Sequence, residues 1–203
     1  MDMISDRSNP DHLLGMLIEK KGEFISGESI SGMAGVTRSA IWKQINHLKS
    51  LGYVIESAPR KGYCLISSPD LLLPEEIHAR ANLKTLGRRI HYRSSVDSTN
   101  ILAKLLASKG EPHGTLIIAE EQLTGKGRLG RKWVSPSGGI WFSVILRPSL
   151  PPYEAPKLTL LAAVAVAQTL RSFGAAASIK WPNDILSGGK KICGILTELS
   201  AEI

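Results

Sequence analysis

An apolar stripe in residues 38–51 constrains the fold of the first third of the chain more than any other sequence feature. Its members recur at the three- and four-residue spacing of an amphipathic helix: Ala40, Ile41, Ile45, Leu48 and Leu51. Residues 13–20 and 27–33 predict two shorter helices before it. Two β-type segments, 52–56 and 62–66, flank a Pro-containing turn after it. Three helices followed by a hairpin predict a winged helix-turn-helix unit.

The face of this helix opposite the stripe is basic and rich in amides. Thr37 is predicted to cap the helix, because a Thr side chain can accept from a free backbone N–H group of the first turn. We expect this face and the turn of the hairpin to contact DNA through Thr37, Arg38, Ser39, Lys43, Gln44, Asn46, Arg60 and Lys61. Lysine and arginine contacts with phosphate would make such binding salt-dependent. The alternative is a solvated helix face.

Beyond residue 66 the sequence changes to a mixture of strands and helices. The expected strands are 90–93, 115–120, 139–146, 178–180 and 191–199, and the expected helices are 98–109 and a long buried helix over 157–173. Residues 67–74 are predicted to be a linker, with Pro74 in the first turn of the next helix. The predicted class is therefore α+β, with a first domain at 1–66 and a second, mixed-sheet domain at 75–203.

Charge and composition limit the class of protein. The net charge of +7 permits a polyanionic partner. The two cysteines, Cys64 and Cys193, exclude a disulfide framework and a cysteine zinc site, and the histidines show no metal-ligand spacing. The first ten residues lack the apolar core of a secretory signal, and no apolar run is long enough to span a bilayer. We therefore expect a cytoplasmic protein with no membrane association.

The strongest chemical signal is the basic run Gly125-Lys126-Gly127-Arg128-Leu129-Gly130-Arg131-Lys132-Trp133. It matches the dinucleotide pattern G-x-G-x-x-G, but a strand follows it where that pattern requires a helix. No protein-kinase motif follows it either. Glycines free the backbone N–H groups to bind phosphate oxygens, which favours an anion-binding loop, and Gly127 is expected to adopt a positive φ. A solvated basic hairpin is the alternative.

Two further clusters could carry chemistry. Lys191 begins an apolar strand shortly after the run Lys180-Trp181-Pro182-Asn183-Asp184, and there it could neutralise a carboxylate or a phosphate. The alternatives are a plain turn at Asn183-Asp184 and a lysine that protects a strand edge. The run Asp97-Ser98-Thr99-Asn100 precedes a helix and could be a simple cap, and Gln122 could be a surface amide.

Together these motifs resemble those of the biotin protein ligase family, of the bifunctional ligase and repressor type. The resemblance is carried by Ser98-Thr99-Asn100, Gln122, the run 125–133, Lys180-Trp181-Pro182-Asn183-Asp184, and Lys191 with Gly194-Ile195-Leu196. It spans residues 13–198 and implies a biotin/lipoate ligase-like catalytic domain after the winged helix. The chain departs from the best-known members at Lys126 and Leu129, where they have arginines; lysine keeps the charge but loses the bidentate fork.

The resemblance implies that biotin and ATP give biotinyl-5′-AMP and pyrophosphate, and that biotin then passes to a lysine of a biotin carboxyl carrier protein. The implied catalytic residues are Lys191, Arg128 and Asp184. The implied biotin-binding residues are Ser98, Thr99, Asn100, Gln122, Gly125, Lys126, Gly127, Arg128 and Lys191. The implied ATP- and adenylate-binding residues are Arg128, Arg131, Trp133 and Asn183, with Mg²⁺ near Asp184.

The resemblance further implies that the protein binds operator DNA and represses biotin genes, and that it forms a homodimer on adenylate binding. Family members usually continue past Ile203 into further strands and an SH3-like C-terminal domain, so we expect a truncated chain with an incomplete catalytic domain. A DNA-binding repressor or sensor with an inactive ligase domain is the alternative. A lipoate-type ligase is a third hypothesis, which the winged helix and the run 180–184 argue against.

Overall fold

The computed structural model describes residues 10–200, with side chains from residue 13 onward. The chain forms two units, Met1–Tyr92 and Arg93–Ile203, and the boundary falls inside a strand. The segment predicted to lack a secretory signal lies mostly outside the described residues. None of the described helices is long and apolar enough to cross a membrane.

The first unit contains the predicted helices and hairpin. Its elements are α1 (Pro10–Glu19), α2 (Gly27–Ala34), α3 (Arg38–Ser50), β1 (Val54–Ala58), β2 (Gly62–Ser67) and α4 (Pro74–Arg80). The strands β1 and β2 pair antiparallel, with Ile55 opposite Leu65 and Ala58 opposite Gly62. The prediction of a winged helix-turn-helix architecture is confirmed.

The apolar stripe of α3 forms the centre of the first core. Ile41, Ile45 and Leu48 are each at most 2% exposed, and they pack in one cluster with apolar residues of α1, α2 and both strands. Gly62 closes this core at the start of β2, where φ is +101° and a Cβ atom would collide with the carbonyl oxygen of Ile25. Only glycine combines this backbone conformation with such close contact.

Helix α4 belongs to the first unit, whereas the sequence placed that helix at the start of the second domain. The buried Tyr53 hydroxyl donates to Glu76 Oε2 at 2.6 Å, and Arg80 Nε donates to the other oxygen of that carboxylate at 2.7 Å. Leu73, in the predicted linker, is 3% exposed within the core. A buried hydroxyl needs an acceptor, and Glu76 of α4 provides it. The polar, Pro-containing stretch before α4 had the composition of a linker, so the sequence did not indicate this contact.

The second unit contains two three-stranded sheets, each with a helix packed against it. Its elements are β3 (Ile90–Val96, which begins in the first unit), α5 (Thr99–Ser108), β4 (Leu116–Gln122), β5 (Trp141–Val144), α6 (Pro156–Ser172), β6 (Ala177–Lys180), β7 (Asp184–Ser187) and β8 (Lys190–Gly194). The strand orders are β3-β4-β5 and β6-β7-β8. Ile117 is fully buried under α5, and Ile185 is fully buried under α6. The predicted α+β class is confirmed.

Two features of the second unit differ from expectation. Helix α6 was predicted to be buried, but it buries only a narrow face of small residues, Ala163 and Ala167, while Leu161 is 66% exposed. Strand β7 was not predicted, because Asn183-Asp184 has turn composition. Asp184 instead begins that strand, opposite Lys180 on β6 and Gly194 on β8.

Candidate functional site

The candidate DNA interface of the first unit begins at the N-terminus of α3. Thr37 Oγ1 accepts from the Ala40 backbone N–H at 3.3 Å, so the predicted cap is confirmed. Of the side chains predicted to face DNA, those of Arg38, Ser39, Lys43 and Asn46 are exposed, whereas that of Gln44 is half-buried. Because the apolar face of α3 is buried, this basic and amide-bearing face is free to meet a polyanion.

The turn of the hairpin brings further positive charge to the same side of the first unit. A cleft of about 590 Å³ is lined by both Arg38, at the start of α3, and Arg60, in the β1–β2 turn. Arg60 has a φ of +64°, and Lys61 places its ammonium 5.8 Å from the centre of the Phe24 ring. The structure therefore joins the predicted recognition helix and the predicted wing in one cleft, which two arginines and the acidic Glu28 line.

The glycine-rich run of the second unit forms a closed hairpin between β4 and β5. The backbone N–H of Trp133 donates to the Gly125 carbonyl oxygen at 2.8 Å, and that of Gly127 donates to the Arg131 carbonyl oxygen at 2.7 Å. These bonds define the free conformation of the loop. An open cleft of about 250 Å³ is lined by this run, including Lys126 and Arg131.

The left-handed residues of this loop are not the ones that the sequence suggested. A single 3₁₀ turn at Arg128–Gly130 contains Leu129 with a φ of +56° and Gly130 with a φ of +71°. Gly127 has a φ of −102°, which any residue can adopt, so the expectation of a positive φ there was wrong. Leu129 lies at the tip of the loop with its side chain 90% exposed, so no packed neighbour opposes its left-handed backbone conformation.

Gly125 is the glycine that close packing requires. A Cβ atom there would collide with the Trp133 carbonyl oxygen and would lie 2.7 Å from Ser135 Oγ. Ser135 Oγ in turn accepts from Gln122 Nε2 at 2.9 Å. The loop base is therefore packed directly against the amide of Gln122.

Gln122 also holds the start of α5. Its Oε1 accepts from the backbone N–H of Thr99 at 2.9 Å and from Thr99 Oγ1 at 3.1 Å. Thr99 and Ser98 are each 4% exposed. Ser98 occupies the N-cap position of α5, but its side chain makes no capping hydrogen bond. The alternative that this serine is a simple helix cap is therefore not supported.

A second hydrogen-bonded group continues from Thr99 into the helix. Ser143 Oγ lies 2.8 Å from Thr99 Oγ1 and also donates to Asn100 Oδ1. Asn100 Nδ2 donates to Glu198 Oε2 at 2.9 Å. The structure thus brings Thr99, Asn100 and Gln122 into one polar network.

Lys191 lies between a carboxylate and an aromatic ring. Its Nζ is 2.6 Å from Asp184 Oδ1 and 4.7 Å from the centre of the Trp133 ring. A Cβ atom on Gly194 would lie 3.2 Å from this Nζ, so a small residue there leaves room for the ammonium. Burial raises the pKa of the neighbouring Cys193 thiol, which stays neutral beside this pair.

The register of β8 separates Lys191 from its neighbour Lys190. Lys191 is opposite Leu186 and Cys193 is opposite Ile185, so a bulge lies between them. Bulges re-aim side chains and are common beside active sites. The Lys191 side chain is 34% exposed and paired, as described above. Lys190 is exposed at the start of the strand.

The remaining adenylate-binding candidates lie on the loop and at the β6–β7 turn. Arg128 Nη1 donates to Asn183 Oδ1 at 3.0 Å, and Asn183 Nδ2 donates to the Ile195 carbonyl oxygen at 3.1 Å. Arg131 is exposed in the loop. The Arg128–Asn183 contact thereby adjoins the group of Lys191, Asp184 and Trp133, because Asn183 and Asp184 are consecutive in the chain.

Sequence reasoning missed three polar residues of this network: Ser135, Ser143 and Glu198. Each contacts a predicted residue that is distant in sequence, namely Gln122 for Ser135 and Asn100 for the other two. Isolated serines in a loop or strand carry no local signal. Glu198 lies within the predicted strand 191–199, and only its contacts with Asn100 and Lys104 of α5 show that it belongs to the network.

Comparison with known proteins agrees with both units. Residues 92–202 match the Biotin/lipoate A/B protein ligase family, and residues 11–64 match an HTH domain. The bifunctional ligase/repressor BirA of Bacillus spizizenii is 45% identical over 192 residues, which cover 94% of this chain and 59% of that protein. BirA of Escherichia coli is 36% identical over 202 residues, which cover 98% of this chain and 60% of that protein.

A solved structure also matches part of this chain. The biotin protein ligase from Aquifex aeolicus, in complex with biotin and ATP, is 36% identical, with a TM-score of 0.48 over 56% of this chain and 47% of that chain. The chain spans 59% of the length of the first relative above.

The fold and the matches define a two-unit protein in which a helix-turn-helix unit precedes a ligase-type unit. The chain belongs to the Biotin/lipoate A/B protein ligase family. The resemblance stated from the sequence motifs is thereby confirmed.

Proposed function

We propose that the chain is an ATP-dependent biotin ligase that forms biotinyl-5′-AMP and transfers biotin to a lysine of a biotin carboxyl carrier protein. We propose further that its first unit binds operator DNA and represses biotin genes. The names of the relatives and the family membership support both roles. The observation that carries the ligase proposal is the placement of Lys191 against Asp184 and the Trp133 ring.

The chemistry requires positive charge at the reacting centre. The biotin carboxylate and the α-phosphate of ATP are both anions, so preorganised cations must offset their repulsion. Lys191 and Arg128 supply these cations, and Arg128 adds a planar donor group that suits phosphate. Both are already held in place, by Asp184 and Asn183 respectively.

The uncharged ureido end of biotin needs hydrogen-bonding groups instead of charge. Thr99, Asn100 and Gln122 form a polar network at the start of α5 that is suited to this task, and we assign the buried, adjacent Ser98 to the same site. The backbone of the loop, at Gly125, Lys126 and Gly127, would cover the bound ligand and exclude water from the reactive anhydride. We assign the adenine ring to Trp133 and Asn183, with Arg131 at the loop surface.

Asp184 is the carboxylate expected near the transferred group. We assign to Asp184 the role of orienting the lysine of the carrier protein as it attacks. In the described part of the chain, no three His, Cys, Asp or Glu side chains are grouped to hold a metal ion. Mg²⁺ keeps several waters and is often held by nucleotide phosphates, so we propose that it arrives with ATP and meets Asp184 as a protein ligand.

The remaining assignments concern the setting of the reaction. The cleft with Arg38 and Arg60 supports a DNA partner. We propose a cytoplasmic location and formation of a homodimer on adenylate binding. An increase of mass in light scattering on addition of biotin and ATP would support the dimer.

Exchange of labelled pyrophosphate into ATP, dependent on biotin, tests adenylation directly. Lys191→Ala is expected to lower the exchange rate by about 100-fold or more, since one preorganised charge is typically worth that much. Lys190→Ala is the matched control, because it removes an adjacent, exposed lysine, and its rate should stay within twofold of wild type. Equal losses in the two variants, or no exchange in the unaltered chain, would contradict the proposal.

A further inference from the structure

Glu198 joins the segment after β8 to the start of α5. Its Oε2 accepts from Asn100 Nδ2 at 2.9 Å, and its Oε1 lies 2.6 Å from Lys104 Nζ. The carboxylate is partly buried, with 35% of the side chain exposed. The sequence motifs gave this residue no role.

A continuous path of hydrogen bonds leads from Glu198 to Gln122. Asn100 uses its amide nitrogen for Glu198 and its amide oxygen for Ser143. Ser143 Oγ shares its one proton between Asn100 Oδ1 and Thr99 Oγ1, which lies 2.8 Å away, and Thr99 Oγ1 donates to Gln122 Oε1 at 3.1 Å. The orientations of Asn100, Thr99 and Gln122 therefore depend on one another.

An ionised carboxylate can only accept hydrogen bonds, whereas the two ends of an amide differ in kind. Glu198 therefore requires Asn100 to turn its nitrogen outward, and the amide oxygen then faces Ser143. Without Glu198 only the Leu196 carbonyl oxygen, 3.4 Å from Asn100 Nδ2, would hold the amide in this orientation, and a reversed amide would turn its NH₂ group toward Ser143. We infer that Glu198 is a positioning residue that fixes the Asn100 amide and thereby orders the cluster that binds biotin. This inference rests on the proposed function.

The surroundings keep Glu198 in the accepting state. The hydrogen bond from Lys104 lowers the pKa of Glu198, against the opposite effect of burial, and the bond from Asn100 acts in the same direction. The positive charge of Lys126, on the glycine-rich loop, adds to this effect. These contacts thus hold the pKa of Glu198 below its ordinary value and favour the ionised carboxylate.

The matched pair Glu198→Ala and Lys104→Ala separates positioning from simple stabilisation, because each variant removes the same ion pair. In the full chain, we expect Glu198→Ala to raise the KM for biotin in pyrophosphate exchange by about tenfold, the effect of one charged hydrogen bond. Lys104→Ala should leave that KM within twofold. The KM for ATP should not change in either variant. Glu198→Gln, which retains an acceptor oxygen for Asn100, should restore most of the biotin affinity.

Thermal unfolding of both variants provides the control for folding. If Glu198→Ala and Lys104→Ala raise the biotin KM equally, or if neither raises it, Glu198 has no positioning role. If Glu198→Ala does not fold, Glu198→Leu removes both acceptor oxygens at similar volume: a biotin KM for Glu198→Leu well above that of Glu198→Gln supports the inference, and an equal value overturns it. An unaltered chain that binds no biotin in calorimetry overturns the proposed function itself, which distinguishes that failure from the others.

Discussion

Replacement of Gly125 by alanine would place a methyl group where the loop base has no space for one. The added carbon would collide with the Trp133 carbonyl oxygen and would approach Ser135 Oγ to 2.7 Å. Overpacking of this kind costs about 1–3 kcal/mol. Displacement of Ser135 would also break its bond with Gln122, which is worth about 0.5–1.5 kcal/mol. We therefore expect Gly125→Ala to lower the free energy of unfolding of the second unit by about 1.5–4.5 kcal/mol.

Gly127→Ala is the control within the same loop. A Cβ atom there would lie 3.5 Å from the Arg131 carbonyl oxygen, an ordinary contact, and the backbone is extended. Its free energy of unfolding should stay within about 0.5 kcal/mol of wild type. Urea unfolding measures both changes, and calorimetry with biotin should show weaker binding for Gly125→Ala alone. Equal effects of the two substitutions, or a larger effect at Gly127, would refute the packing argument.

Two further predictions concern the first unit. Tyr53→Phe should lower the free energy of unfolding by about 1.5–3 kcal/mol at pH 7, the value of a hydrogen bond to a charged group. Burial, and then the bond to the carboxylate, raise the pKa of Tyr53 above its ordinary 10.0, so the folded state holds this proton more tightly. That stabilisation is complete below pH 10 and declines as the pH rises further, and urea unfolding from pH 7 to 11 should show the decline in wild type but not in Tyr53→Phe. The double variant Arg38→Ala, Lys43→Ala should weaken operator binding and reduce its logarithmic salt dependence by roughly two units. Loss of the exposed pair Lys20 and Lys21 is the charge-matched control, and an unchanged affinity in the first variant would contradict the assigned interface.

Local patterns predicted those parts of the fold that depend on neighbouring residues. Thr37 caps α3 through an atom three residues away, and the α3 stripe is buried as its spacing indicates. The loop at 125–133 lies between two strands, as the failure of the dinucleotide pattern required. In these cases the signal and the structure it describes lie within a few residues of each other.

The features that were missed depend on contacts between distant residues. Glu76 accepts from Tyr53 across 23 positions, and this bond ties α4 to the first unit against the prediction of a linker. Glu198 meets Asn100 across 98 positions. Gly125 must be glycine because Trp133 and Ser135, on the other arm of the hairpin, approach it closely, and not because of its own backbone angles. No pattern of composition or period contains such pairs.

Each of the two cations assigned to the reaction has a polar partner in the free site before a substrate enters. Lys191 is paired with Asp184 at 2.6 Å, and Arg128 is bonded to Asn183 at 3.0 Å. In the proposed reaction the anionic groups of the substrates take over both cations, so that Asp184 and Asn183 become available when the carrier lysine and the adenine require partners. The side chains of Lys191 and Asp184 are only 34% and 20% exposed, so separating this pair costs more than separating a surface pair, and the substrate anions must offset that cost. Asp184 therefore holds Lys191 in position until the anionic groups of the substrates replace it.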